Sequence, residues 1–199
     1  MSMTFWEKKY LPNELTILRI ILAFIFMVFI FLPGLGATIF AFCLFSLASL
    51  TDFYDGRLAR KYNLVSDFGK LLDPIADKIL VLGAFLAFVE MRLIPAWMVV
   101  IIILRESFIT GFRLVALRKK SVLAAEEAGK HKTVSQMVTI FIVLLFLIFK
   151  EIMLGKSLWN KAIELYASWG IMSLMSITLA LTVISGMAFI IRNRHLLRF

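Results

Sequence analysis

Apolar residues recur in long runs along most of the chain, separated by short polar or glycine- and proline-containing breaks. Each run is close to the length of about 20 residues that an α-helix needs to cross the hydrocarbon core of a bilayer. The pattern predicts an all-α integral membrane protein with six transmembrane helices. We place these helices at about residues 14–32, 37–60, 67–89, 95–117, 133–149 and 163–191.

The N-terminal segment has a different pattern. The stretch FWEKKY mixes aromatic residues with lysines, which is typical of a short helix lying at the headgroup level. The apolar run after it lacks a small-residue cleavage site, so we expect a retained first span rather than a signal peptide. The prediction is one membrane domain over residues 1–199, comprising an interfacial segment (1–13), a six-helix bundle (14–191) and a basic tail (192–199).

Composition narrows the class of protein further. The chain has 199 residues, is 61% hydrophobic and carries a formal net charge of +9. In a chain this apolar, the positive charge indicates cytoplasmic loops and anionic headgroups rather than a nucleic-acid partner. Cys43 is the single cysteine, so an intrachain disulfide is excluded.

Basic residues indicate the orientation, because Lys and Arg accumulate on the cytoplasmic side of membrane proteins. One side of the predicted bundle has only four of them, partly offset by three glutamates. We therefore predict that both termini are cytoplasmic. The basic side holds Lys8, Lys9, Arg57, Arg60, Lys61, Lys70, Arg118, Lys119, Lys120, Lys130, Lys132, Arg192, Arg194 and Arg198, and the other side holds Arg92, Lys150, Lys156 and Lys161.

The most polar stretch within the apolar pattern is DFYDGRLARKYNLVSDFGKLLDPIAD, residues 52–77. Its polar and small residues follow helical spacing in two groups, one on predicted helix 2 and one on helix 3. Each group lies along one helix face, so the two faces can meet near the cytoplasmic surface and pool four carboxylates in one cleft. The first group is Asp52, Asp55, Gly56, Ala59 and Arg60, and the second is Gly69, Asp73 and Asp77.

Four carboxylates in a membrane helix pair need positive charge nearby. Insertion scales put one charged residue at a helix centre at roughly 2.5–3.5 kcal/mol. Oxygen ligands without a histidine favour Mg²⁺ or Mn²⁺, and two such ions would neutralise four aspartates. The adjacent Gly56, Ala59 and Gly69 allow close helix packing; their interleaving with acids and Arg60 favours a ligand lying on the backbone.

The same stretch resembles the signature of the CDP-alcohol phosphotransferase family, D-x2-D-G-x2-A-R-x8-G-x3-D-x3-D, at all eight fixed positions. The resemblance implies transfer of a phosphatidyl group from CDP-diacylglycerol to an alcohol, with release of CMP. It also implies a site facing the cytoplasm and two bound Mg²⁺ or Mn²⁺ ions. The implied metal ligands are Asp52, Asp55, Asp73 and Asp77, the implied general base is Asp77, and the implied CDP-binding residues are Asp52, Gly56, Ala59, Arg60 and Gly69.

Three flanking stretches resemble a bacterial branch of the family whose acceptor is sn-glycerol 3-phosphate: LPNELTILRI, LRESFITGFRLVALRKK and GKHKTVSQM. Two polar stripes support a phosphorylated acceptor, because phosphate binds well to Arg and Lys. One is Glu106, Thr110 and Arg113, and the other is Lys132, Gln136 and Thr139. The predicted acceptor residues are Arg113, Arg118, Lys132, Thr133 and Gln136, with Asn13, Thr16, Arg19, Arg105 and Glu106 as further candidates.

A purely structural role remains open for two of the arginines. Arg105 could pair with Glu106 or another buried acid, and the head group of Arg19 could snorkel to the membrane surface. The resemblance further implies a homodimer in the bacterial cytoplasmic membrane, surrounded by membrane lipids. Alternatives within the family are a cardiolipin synthase and a phosphatidylinositol-phosphate synthase. An alternative from another class is a divalent-cation transporter, although its acids would be expected near the bilayer midplane.

Overall fold

A computed structural model gives the backbone of residues 5–62, 67–118 and 128–193 and the side chains of residues 14, 16–51, 78–112 and 132–193. All secondary structure in these residues is α-helical. The helices are α1 (Phe5–Phe31), α2 (Leu35–Tyr62), α3 (Asp67–Glu90), α4 (Ala96–Arg118), α5 (Ala128–Gly155) and α6 (Lys161–Arg192). Within these residues, the prediction of an all-α fold with six helices is confirmed.

The largest difference from the predicted boundaries is at the N-terminus. The segment predicted as a separate interfacial helix is continuous with the first apolar helix, and α1 runs from Phe5 to Phe31. Pro12 removes one backbone donor but does not end the helix. The start of α5 also differs, since the structure begins it at Ala128 rather than at Thr133.

Two helices end in the same hydrogen-bonded turn. At the end of α3 the amide of Leu93 donates to the carbonyl of Phe88, and that of Arg92 donates to Val89, both at 2.9 Å. After α5 the corresponding amides of Leu158 and Ser157 donate to Met153 and Leu154. This is the Schellman arrangement, whose C′ residue is left-handed and usually glycine. Here that residue is Arg92 with φ 58° or Ser157 with φ 56°.

Ser157→Gly is expected to stabilise the protein, because a left-handed residue with a Cβ costs roughly 1–2 kcal/mol. Glycine avoids that cost but loses more chain entropy on folding, so the net gain should be about 0.5–1 kcal/mol. Thermal unfolding in detergent, followed by circular dichroism, measures the change. Ser157→Ala retains the Cβ and should show no gain; an equal rise in both variants would contradict the explanation.

The chain forms two compact units. The first comprises Met1–Ala87 and Leu144–Leu158, and it contains α1, α2 and most of α3. Its core has small and aromatic residues where α1 packs against α2. The rings of Phe26 and Phe45 lie 5.5 Å apart, and both side chains are fully buried.

The second unit comprises Phe88–Val143 and Trp159–Phe199. It contains α4, the first part of α5, and α6, and α4 packs against α6. Phe112 meets Phe189 edge-to-face, with ring centroids 5.5 Å apart. The candidate acceptor residues on α4 and α5 belong to this unit.

Exposure follows a membrane-type pattern. Large apolar side chains face outward along the helices, whereas several polar and charged ones are buried. Among the residues with described side chains, two helical segments are long and apolar enough to cross a membrane, Lys132–Gly155 and Lys161–Arg192. Thr16–Phe31 and Leu35–Thr51 are shorter apolar segments. Examples of exposed apolar residues are Phe24, Val28, Leu104, Leu145 and Ile184, and examples of buried polar residues are Arg19, Lys132, Gln136, Thr139 and Thr182.

Candidate functional site

The aspartate stretch lies on two helices, as predicted. Residues 52–62 form the C-terminal part of α2, and residues 67–77 form the N-terminal part of α3. The spacing within each group therefore lies on continuous helix, which places each group along one helix face. The side chains of residues 52–77 are outside the described residues, so the pooling of the four carboxylates stays a prediction.

The described part of the site is a charged cluster in the second unit, made of Arg105 and Glu106 on α4 and Lys132 on α5. The ammonium of Lys132 is ion-paired with Oε1 of Glu106. The guanidinium Nη1 of Arg105 donates to the same oxygen at 3.1 Å. These side chains are only 9–12% exposed. The cluster joins the two stripes predicted for acceptor binding, and it confirms the pairing of Arg105 with Glu106.

A third helix, α6, also contributes side chains to this cluster. This contribution was not predicted from the sequence. Thr178, Thr182 and Ser185 are buried and follow the spacing i, i+4 and i+7 along one face. The Thr178 hydroxyl is 2.6 Å from that of Thr139, and the Gln136 amide donates to Thr182 at 3.5 Å. Nη2 of Arg105 donates to the Ser185 hydroxyl at 2.8 Å. The helical spacing of these hydroxyl residues in the sequence was the signal that could have predicted a polar face on α6.

The remaining candidates divide by burial. Thr16 and Arg19 of α1 are fully buried in the first unit, which disfavours snorkelling of Arg19 because a snorkelling head group reaches water. Thr133 is exposed, unlike its neighbour Lys132. The side chains of Asn13, Arg113 and Arg118 are outside the described residues.

The predicted metal site stays a prediction. Among the residues whose side chains are described, no group of three or more His, Cys, Asp or Glu could hold an ion. The predicted ligands belong to residues 52–77, whose side chains are outside the described residues. Their donor set consists of carboxylates alone, which suits Mg²⁺ or Mn²⁺.

The outward apolar surface, the buried polar cluster and the two span-length helices of the described residues are consistent with a helical membrane protein. The family model for CDP-alcohol phosphatidyltransferase matches residues 9–184. The chain belongs to this family.

Three relatives carry the same name, "CDP-diacylglycerol--glycerol-3-phosphate 3-phosphatidyltransferase". The Bacillus subtilis protein is 44% identical over 147 residues, which cover 68% of this chain and 76% of the relative. The Rickettsia typhi protein is 41% identical over 138 residues, covering 69% and 77%. The Mycoplasma pneumoniae protein is 35% identical over 153 residues, covering 68% and 67%.

Proposed function

We propose that this protein transfers the phosphatidyl group of CDP-diacylglycerol to sn-glycerol 3-phosphate, giving phosphatidylglycerophosphate and CMP. The observation that carries the proposal is the shared name of relatives that are 35–44% identical over about two thirds of the chain. The 1-hydroxyl oxygen of the acceptor forms a bond to the β-phosphorus of CDP-diacylglycerol. The bond between that phosphorus and the bridging oxygen breaks, and CMP leaves with the electron pair.

The aspartates are the proposed metal ligands. Asp52, Asp55, Asp73 and Asp77 would hold two divalent cations, which when bound supply positive charge beside the diphosphate. This arrangement requires each aspartate group to lie on a helix, and α2 and α3 are those helices. Asp77 would also take the proton from the acceptor hydroxyl during attack. The nucleotide would lie on Gly56, Ala59 and Gly69, with Arg60 and Asp52 contacting the CDP moiety.

The acceptor phosphate would bind at the cytoplasmic ends of α4 and α5. Lys132 is buried and held by Glu106, so its ammonium has a fixed position before any ligand arrives. Gln136 lies one turn further along α5 and is also buried. Arg113, Arg118 and Thr133 complete the proposed set of donors. A phosphate has three oxygens for such groups, whereas serine or inositol would leave the cations without an anion.

Lys132→Gln is expected to raise the Michaelis constant for glycerol 3-phosphate more than that for the lipid. A hydrogen bond to a charged group contributes about 1.5–3 kcal/mol, so kcat/KM should fall roughly 10- to 150-fold. Glu106 keeps its ion pair with Arg105 in this variant, which limits the damage to the fold. Steady-state rates against each substrate measure the effect, and Arg113→Gln should behave in the same way.

The matched control is Lys150→Gln near the other end of α5. It makes the same change to the same helix but far along the chain from the proposed site, so both Michaelis constants should stay near the wild-type values. An equal loss for both substrates in Lys132→Gln would contradict a specific role in acceptor binding.

The family and the apolar helices give a membrane location. We further propose that all six helices cross the bacterial cytoplasmic membrane, with both termini and the active site on the cytoplasmic side. The first turns of α1 would lie at the headgroups, residues 1–199 would form one functional domain, and two copies would form a homodimer. The accessibility of single cysteines introduced into the 119–127 and 156–160 segments tests the orientation.

The decisive test of the activity is incubation of the purified protein with CDP-diacylglycerol and a panel of alcohols, followed by identification of the lipid product. We expect phosphatidylglycerophosphate, with free glycerol, serine and myo-inositol as poor acceptors. Faster use of phosphatidylglycerol or inositol phosphate would instead indicate one of the other branches of the family. Failure of CMP to reverse the reaction, together with metal flux, would indicate a transporter.

A further inference from the structure

Two consecutive residues of α6, Ser185 and Gly186, contact the Arg105 side chain in different ways. Ser185 accepts a hydrogen bond from Nη2 at 2.8 Å. The Ser185 hydroxyl donates its own proton to the carbonyl of Thr182 at 3.1 Å, which leaves its lone pairs directed toward the arginine. Gly186 provides the space for the aliphatic part of the Arg105 side chain.

The space at Gly186 is tight. A Cβ at this position would lie 3.0 Å from Cγ and 3.2 Å from Nε of Arg105, closer than ordinary van der Waals contact. Cγ is near the root of the side chain, so rotation of the guanidinium alone would not relieve the contact. A Cβ at position 186 therefore requires the Arg105 side chain to move by a few tenths of an ångström, which disturbs its bonds to Ser185 and Glu106.

A displaced guanidinium has little polar space to enter. A groove of about 480 Å³ opens between α4 and α6, and Arg105 is the single charged residue among the described residues that line it. The other walls include Ile101, Leu104 and Met187. Because a charge in apolar surroundings is costly, the bonds to Ser185 and Glu106 favour the observed position of Arg105.

We propose that Ser185 and Gly186 of α6 are positioning residues for the phosphorylated acceptor: they fix Arg105 against Glu106, and Glu106 in turn fixes Lys132. The inference rests on the proposed function, because it gives α6 a part in binding the acceptor. Oε1 of Glu106 is the shared atom, since it receives both Arg105 Nη1 and Lys132 Nζ. Movement of the arginine therefore changes the position of the ammonium that would contact the phosphate.

The test compares Gly186→Ala with Gly170→Ala, the same substitution at another position of α6. A Cβ at residue 170 meets no atom within 4 Å. Gly186→Ala should raise the Michaelis constant for glycerol 3-phosphate about tenfold, as expected for weakening one charged hydrogen bond. Its Michaelis constant for CDP-diacylglycerol should stay within about twofold of wild type, and Gly170→Ala should leave both unchanged.

A double-variant cycle separates positioning from general damage. Arg105→Ala removes all three atoms that the new Cβ would meet, so Gly186→Ala should have no further effect in the Arg105→Ala background. Additive losses would overturn the proposal, as would equal increases in the two Michaelis constants for Gly186→Ala alone. If Gly186→Ala does not fold, two variants of Ser185 test the proposal instead. Ser185→Ala removes the hydroxyl and should weaken acceptor binding, whereas Ser185→Thr keeps a hydroxyl and should bind the acceptor about as well as the wild type.

Failure of this inference can be told apart from failure of the proposed function. A wild-type protein that does not use glycerol 3-phosphate would refute the function and this inference together. A wild-type protein that does use it, with Gly186→Ala indistinguishable from Gly170→Ala, would refute the role of α6 and leave the proposed function in place.

Discussion

Asp73→Asn is expected to reduce turnover to near the background rate, and so are Asp52→Asn and Asp55→Asn. Asparagine has almost the volume of aspartate but lacks its charge, so each change weakens the proposed divalent-ion site while altering packing little. The measurements are phosphatidyl transfer and metal binding, each as a function of Mg²⁺ or Mn²⁺ concentration. EDTA should silence the unmodified protein, and added Mg²⁺ or Mn²⁺ should restore it.

Asp67→Asn is the matched control for these variants. Asp67 is the first residue of α3 and is outside both aspartate groups. Asparagine serves a helix N-terminus about as well as aspartate, so activity should stay close to that of the unmodified protein. Full activity in EDTA, or equal loss in Asp67→Asn and Asp73→Asn, would contradict the proposed two-metal site.

The second large effect is expected for Asp77→Asn. If Asp77 is the general base, turnover should fall by the roughly 10²- to 10⁴-fold typical of such a residue. Binding of CDP-diacylglycerol should largely survive, because the proposed contacts to the CDP moiety come from other residues and the main role proposed for Asp77 is to remove the acceptor's proton. Single-turnover rates measure the chemical step, and a direct titration with CDP-diacylglycerol measures binding.

Gly56→Leu and Ala59→Leu provide the contrast with Asp77→Asn. A leucine side chain would fill the surface on which the nucleotide is proposed to rest, so binding should be lost together with activity. Equal loss of binding in Asp77→Asn and in the two leucine variants would show that catalysis and nucleotide binding are not separable in this way.

The six helices could be predicted because their signal is local. Long apolar runs and glycine- or proline-containing breaks determine where a helix can continue, and the structure ends α1 at Phe31 just before Pro33 and Gly34. The continuation of α1 back to Phe5 could not be predicted in this way. A mixture of aromatic residues and lysines favours the headgroup level but does not specify a break in the helix.

The site was predictable to a different extent. The spacing of Glu106 and Lys132 within their own helices predicted two polar faces, and the structure brings them together. Ser185 was missed, because a hydroxyl in an apolar helix is usually satisfied by a carbonyl of its own helix. Its second bond, to Arg105 across 80 positions of sequence, depends on the packing of α4 against α6.

The same hydroxyl stripe bears on how α6 would enter the bilayer in the proposed topology. Between Glu164 and Arg192, α6 contains no charged residue, and Ser185 and Ser176 each bond to a carbonyl of their own helix. Such a segment can insert into the bilayer as an independent helix and pack against the other helices afterwards, as in two-stage assembly. By contrast, α4 brings Arg105 and Glu106 with it. A nascent chain that stops short of α6 would therefore leave the Arg105 guanidinium without its serine partner, whereas α6 itself would insert without help.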